Sequence, residues 1–370
     1  MTKAAELAKM GEVLTNSQIG GRRNIVINGG MNVAQRSVSE TGLGATSGYY
    51  TVDRFRVSLD STAGRFTMAQ TADGPSGFAN CLKLDCTTAD TSIGAAEQLT
   101  IIQRIEGQDL QQFKKGTSDA EYFTVSFYVK ANASATYVLE LFDNDNSRQI
   151  SKLFNVTSSW SRVVLTFPPD TTGAFNDDNA TSLSLSFQLH LGTNYTSGTL
   201  NTASWASSTN ANRAAGMDSF FSSTDNEFFL TGVQLEVGEQ ATPFEHRSFG
   251  EELTSCQRYY TVIADGADNA GFSPIGIGSM YNTTSLYSII SLPTEMRAAP
   301  ALEVVDGDPT NYYNFYRNGS ADGVFDFSLS KVSTGRLEFY NQTEISGTAG
   351  QAGFIRTSNA SAKFALRAEL

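Results

Sequence analysis

Charged side chains are scarce in this chain of 370 residues: Asp, Glu, Lys and Arg together make up 17%. There are 8 prolines, 3 cysteines and 2 histidines. Each shortage excludes something. Cys81, Cys86 and Cys256 cannot make a complete disulfide framework, and Cys81 and Cys86 sit five apart in the strand-like NCLKLDC, which sets them on opposite faces. They read as small buried apolar residues. His190 and His246 have no serine or cysteine partner at a recognisable spacing, so a nucleophilic triad has no support. No HExxH, CxxC or glycine-rich phosphate loop leading into a helix occurs. The expectation is a protein that is not an enzyme. No run of eighteen apolar residues is present, so no transmembrane helix is expected. The opening MTKAAELAKMGEVL lacks the continuous apolar segment of a secretory signal. Synthesis and folding in a cytoplasm are expected, and on that expectation the Asn-x-Thr triplets at Asn155, Asn194 and Asn341 read as polar surface. The net charge of −12 and pI of about 4.7 oppose a polyanionic partner, and no basic stripe offsets them. No nucleic acid and no membrane insertion are expected.

What the chain has in quantity is Gly, Ser, Thr and Asn around short apolar-alternating segments, the make-up of strands joined by many turns. In 228–247, FFLTGVQLEVGEQATPFEHR, a period of two points Phe229, Val233, Leu235 and Val237 one way and Leu230, Gln234 and Glu236 the other. Residues 183–191 alternate most cleanly, with Leu183, Leu185, Phe187, Leu189 and Leu191 inward and Ser184, Ser186, Gln188 and His190 outward. A one-residue slip would put five large apolar side chains in water, so this register is firmly set. Segments 122–129, 137–142 and 161–167 add strands at sandwich spacing. The Ile25/Ile27 alternation in NIVINGGMNVAQR predicts an opening strand ending at the Asn28-Gly29 turn, and residues 50–59 predict another. Strands are expected again at 284–292, 323–329, 336–340 and 363–370, with turns at Asp306-Gly307, Asn318-Gly319 and Asp322-Gly323. GFSPIGIGSM reads as a bulged strand or a loop, and residues 251–260 as a short helix or strand. The fold class is all-β: a jelly-roll sandwich over 24–247 and a smaller β domain over 248–370.

Residues 2–14 alone have helical character, with Leu7, Met10 and Leu14 on a seam. A seam this short needs a partner: copies of itself, a docking site on another protein, or its own domain. Residues 1–23 are therefore assigned as anchor and linker.

The phrases NIVINGGMNVAQR, SCQRYY, LPTEMRAAPAL and FALRAEL, together with the strand ending at Gly238, resemble tailed-bacteriophage virion fibre or spike proteins of marine podovirus type. The sandwich resembles carbohydrate-binding modules. This resemblance implies a virion structural protein, anchored through its N-terminus to other virion proteins, homotrimeric, and contributing to recognition of a host-surface glycan. A head-decorating fibre, a free-standing carbohydrate-binding module and a glycan depolymerase are the alternatives. Candidate glycan contacts are Tyr195 and Trp205 in the long polar loop and Tyr312 and Tyr316 in NYYNFYRNG. Trp205 has a second reading, a plug closing one end of the sandwich. No cofactor is called for by the residues. Two acidic clusters, Asp143, Asp145 and Asn146 in LFDNDNS and Asp170, Asp177 and Asp178 in the following loop, offer oxygen ligands, and the resemblance raises a structural calcium there, where Asx-turn chemistry is the competing account.

Overall fold

The computed structural model describes residue 3 and residues 23–304 and 312–370. The seam residues Leu7, Met10 and Leu14 and the Asp306-Gly307 pair lie outside the described residues. The chain divides into two compact units, the first running through Glu252 and the second covering Leu253–Glu369.

The first unit is a sandwich of two six-stranded sheets. One contains β1 (Ser39–Leu43), β3 (Arg65–Thr71), β4 (Cys81–Thr88), β12 (Glu227–Val237), β6 (Phe123–Ala131) and β9 (Ser161–Phe167), in that order. The other runs β11 (Ala206–Ser207), β8 (Arg148–Val156), β7 (Ala135–Asp143), β10 (Thr181–Leu191), β5 (Gln98–Glu106) and β2 (Arg56–Asp60). Reading the neighbours β4-β12-β6-β9 against β5-β10-β7-β8 gives the two interlocked Greek keys of a jelly roll. Its core is a continuous apolar layer in which Leu183, Leu185, Phe187 and Leu189 of β10 meet Phe127, Phe154 and Val129 from the strands around them.

The strand β12 departs from the simple alternation predicted for it. Phe228 and Leu230 are in the core, and so are Val233 and Leu235. A bulge between Thr231 and Gln234 switches the inward parity, with Gly232 at φ +62°. Phe229 therefore faces outward, beneath the Lys130 ammonium at 4.2 Å. The opening NIVINGG segment is not a strand either. It docks as a turn on the bulge: Ile25 N–H donates to Leu235 O, and Val233 N–H to Gly29 O. A Cβ on Gly29 would sit 2.0 Å from Val233 O, so only glycine lets the two backbones approach.

The second unit has a three-stranded sheet, β13 (Tyr260–Asp265), β22 (Lys363–Arg367) and β16 (Ala301–Val304), and a seven-stranded one. The latter is ordered β18 (Ser320–Val324), β17 (Tyr313–Arg317), β21 (Ala352–Thr357), β14 (Pro274–Met280), β15 (Leu286–Ser291), β20 (Arg336–Asn341) and β19 (Ser328–Val332). Asn318 and Gly319, at φ +51° and +78°, make the tight turn between β17 and β18 that their dipeptide predicts. Asp322-Gly323, predicted as a turn, is inside β18 instead, paired with Phe315 and Asn314. GFSPIGIGSM becomes β14, irregular in register between Pro274 and Gly276. The segment left open as helix or strand is the helix Phe249–Gln257. Among the described residues no helix is long and apolar enough to cross a membrane.

Candidate functional site: an aromatic sheet face

Alternation along the seven-stranded sheet sends Tyr313, Phe315, Ile355 and Phe339 into the core of the second unit. The opposite face carries an apolar row left largely open among the described residues. Tyr316 pairs with Phe354, and Phe354 with Ile277. Gly278 pairs with Ser288, so Ile289 follows Ile277 on the same side. Phe354, Ile277 and Ile289 are 62%, 69% and 66% exposed. Contiguous apolar surface of this kind on a folded body marks an interaction site.

One step along the strands lies a second, aromatic row. Tyr287 pairs with Tyr340, and their rings stack with centroids 5.5 Å apart and planes 20° from parallel. Tyr281, 78% exposed, meets Tyr287 edge-on at 5.7 Å. Gln342 Nε2 donates to the Tyr287 hydroxyl at 2.9 Å. At the other end of the face the Arg356 guanidinium lies between two rings, 4.7 Å from Tyr316 and 4.9 Å from Phe272, while its Nε donates to Asn314 Oδ1. The face thus offers flat rings with a guanidinium, an amide and phenol groups at its margins. That combination suits ligands with one apolar face and many hydroxyls.

Of the predicted contacts, Tyr316 is a member of this face. Tyr312 lies just before β17, half-buried against the core of the second unit. Trp205 is a correction: it is 6% exposed, its ring packs 5.4 Å from Phe123, and its indole N–H donates to Pro168 O at 2.9 Å. A ring so enclosed presents no face to a sugar. Tyr195 sits in a single helical turn, Thr193–Thr196, 5.9 Å from the Arg213 guanidinium.

Arg213 explains a second departure. The outer face of β10 was expected in water, yet Ser184, Ser186, Gln188 and His190 are all buried. Residues 192–218 fold back over it, and Arg213 grips the buried Glu140 through both carboxylate oxygens, at 2.7 and 2.5 Å. Glu140 also accepts from Gln188, which in turn accepts from Thr100. The broad outer face of the sandwich is roofed by its own loop.

The calcium reading at Asp143 and Asp170 is overturned by Lys115. Its buried ammonium donates to Asp143 Oδ2 at 2.5 Å, Thr172 O at 3.0 Å and Gly173 O at 2.7 Å, and lies 3.1 Å from Asp170 Oδ2. Arg148 takes Asp170 through both oxygens. A built-in cation holds the oxygen cage that Ca²⁺ would need, and the Asp143 side chain accepts the Asp145 and Asn146 N–H groups as an Asx turn does. Burial raises the Asp170 pKa, and the Arg148 and Lys115 hydrogen bonds outweigh it, leaving that carboxyl below its ordinary value.

The aromatic face and the Lys115 cage both escaped the sequence reading. The former had a signal, since Phe354, Ile277 and Ile289 alternate with core residues within their strands. What was missing was knowledge of which strands are neighbours.

No protein-family model and no curated protein matches the sequence. Among solved structures, the chain is similar to the enzymatically active domain of bacteriophage CBA120 tailspike protein 4, at 12% identity and a TM-score of 0.32, over 58% of this chain and 21% of that one. It is also similar to a family 61 carbohydrate-binding module solved with β-1,4-galactotriose (8% identity, TM-score 0.30, 59% of this chain and 100% of that one). A third is the CBM22-1 xylan-binding domain of Paenibacillus barcinonensis Xyn10C (12% identity, TM-score 0.27, 60% and 100%).

Proposed function

We propose that this chain is a virion structural protein of a tailed phage, a fibre or spike whose second unit contributes to recognition of a host-surface glycan. The observation that carries the reading is the exposed row Phe354, Ile277 and Ile289, continued by the half-buried Tyr316, beside the stacked Tyr287 and Tyr340. Sugar rings stack their apolar faces on such rings while amides and phenols take the hydroxyls. The fibre assignment is supported by the sequence phrases at both ends of the chain. The role is binding without catalysis.

The test is binding of the purified chain to host cells and to the polysaccharide extracted from them. Phe354→Ala removes an exposed ring and Tyr287→Ala a half-buried one on the same face, and each should weaken retention at least tenfold. Retention unchanged in both variants overturns the glycan reading. If light scattering instead shows homotrimers that Phe354→Ala and Ile277→Asp dissociate, the face is the chain-to-chain contact and the glycan site is elsewhere. Release of reducing ends from the same polysaccharide would overturn the non-catalytic assignment.

A further inference from the structure

The first unit brings together three metal-ligand side chains that the aromatic face does not use. Asp90 and Glu97 lie in the loop between β4 and β5, and His190 is next to last in β10. All are buried, and their ligand atoms lie within 4.8 Å of one another. His190 Nε2 is 3.1 Å from Glu97 Oε2. Asp90 is fixed through Oδ2 by the Thr62 hydroxyl at 3.0 Å and the Ala63 N–H at 2.8 Å.

Charge makes this cluster different from the other buried carboxylates. Glu140 has Arg213, Asp143 and Asp170 have Lys115, and Glu252 has Arg247. Among the described residues no lysine or arginine is bonded to Asp90 or Glu97. Two carboxylates facing each other out of water repel unless positive charge or a proton lies between them. The other His190 ring nitrogen, Nδ1, is 2.7 Å from Ser219 Oγ. That hydroxyl oxygen already accepts the Phe221 N–H at 3.1 Å and has a lone pair left for an Nδ1–H. A hydrogen-bond acceptor on the far nitrogen is what orients a metal-bound histidine.

We propose that Asp90, Glu97 and His190 bind a divalent transition-metal ion, represented by Zn²⁺, through His190 Nε2 and one oxygen from each carboxylate. The 3.1 Å separation of Nε2 and Oε2 fits two ligands on a common ion with bonds of about 2.0–2.2 Å. One imidazole among the donors favours Zn²⁺ over Ca²⁺, which takes oxygen alone. His190 precedes residues 192–218 and Ser219 follows them, so the ion pins both ends of the roof over the sandwich to the Asp90–Glu97 loop. A groove lined by Ile93, Leu191, Gly192, Thr193, Thr196 and Ser219 lies beside this corner.

The experiment strips the full chain with a chelator, dialyses it against Zn²⁺ or Ca²⁺, and measures bound metal and thermal midpoint. The expected result is about one Zn²⁺ per chain with a raised midpoint, since an ion held only by the native state stabilises it, and no change with Ca²⁺. Glu97→Gln and His190→Gln should lose both ion and shift, whereas His246→Gln should keep them. Should the two variants misfold, the Co²⁺-loaded unaltered chain decides: a visible spectrum of low coordination number with nitrogen among the ligands supports the site. Absence of stoichiometric Zn²⁺ from the unaltered chain overturns it, as does full retention by both folded variants.

Discussion

Lys115 shows how much one residue can settle. Its ammonium neutralises two buried carboxylates and lies 5.2 and 5.5 Å from the rings of Phe175 and Trp205, so the same side chain organises the end of the sandwich. Removing one partner from a buried charge cluster leaves the others uncompensated, which costs about 3–5 kcal/mol. Lys115→Met should therefore lower the urea-unfolding free energy by that order, and a loss below about 1 kcal/mol would show the cluster to be solvated. Asp170 supplies a pH dependence. Its carboxyl is held below the ordinary value of 3.8 in the fold, so the unfolded chain binds more protons as the medium is acidified past that value. Its stabilising contribution is complete above pH 3.8 and is lost as the pH falls through the lower native value. Replacing it by Asn should flatten the acid limb of a stability-against-pH curve. The cysteines give a third measurement. Burial pushes the Cys86 thiol up to about 11 and raises Cys81, and Cys256 is fully enclosed. A disulfide-exchange reagent at neutral pH should label none of them until denaturant is added; rapid native labelling would refute that burial.

Within elements, β10 and β12 illustrate the reach and the limit of reading a period. In β10 the alternation Leu183, Leu185, Phe187, Leu189 is uninterrupted, and each of these side chains is in the core as expected. In β12 the same arithmetic put Phe229 inside and Leu230 outside, because an extra residue at Gly232 is invisible to a strict period of two. The local signal is the glycine itself, which a strand interior tolerates poorly. Gly232→Val forces a β-branched residue to φ +62° and puts its Cβ 2.7 Å from the Phe78 ring. The expected cost is on the order of 1–3 kcal/mol, read by thermal unfolding, and a neutral outcome would mean that the bulge relaxes freely. The NIVINGG turn failed as a strand for a related reason. Its backbone groups are satisfied by the bulge and by the Asn24 side chain, whose Nδ2 donates to Val233 O and whose Oδ1 accepts from Leu235 N. Hydrogen-bond partners more than two hundred positions away leave no trace in a local window.

On the scale of the whole molecule, two cores share no residue: one centred on Phe187, Phe127 and Phe154, the other on Phe364, Phe339 and Phe327. Separate cores predict separable unfolding. Phe187→Ala and Phe364→Ala should each lower a different calorimetric transition, by about 3–5 kcal/mol for a buried phenylalanine. A single transition moved equally by both would show the two units to be one cooperative body.

The residues alone determined the fold class, because alternation, scarce helix formers and abundant turn residues are local properties that burial acts on directly. They also determined the inward row of β10, the Asn318-Gly319 hairpin and the side of β17 that Tyr316 takes, opposite Tyr313 and Phe315. Only the tertiary structure decided what those faces meet. It enclosed Trp205, roofed the outer side of β10, put Lys115 between two carboxylates that had been weighed as calcium ligands, and joined Asp90, Glu97 and His190 at one corner. It also set Phe354, Ile277 and Ile289 side by side. The reason is that strand order and loop return are fixed by contacts between distant segments, and a chemical site is a property of neighbours in space.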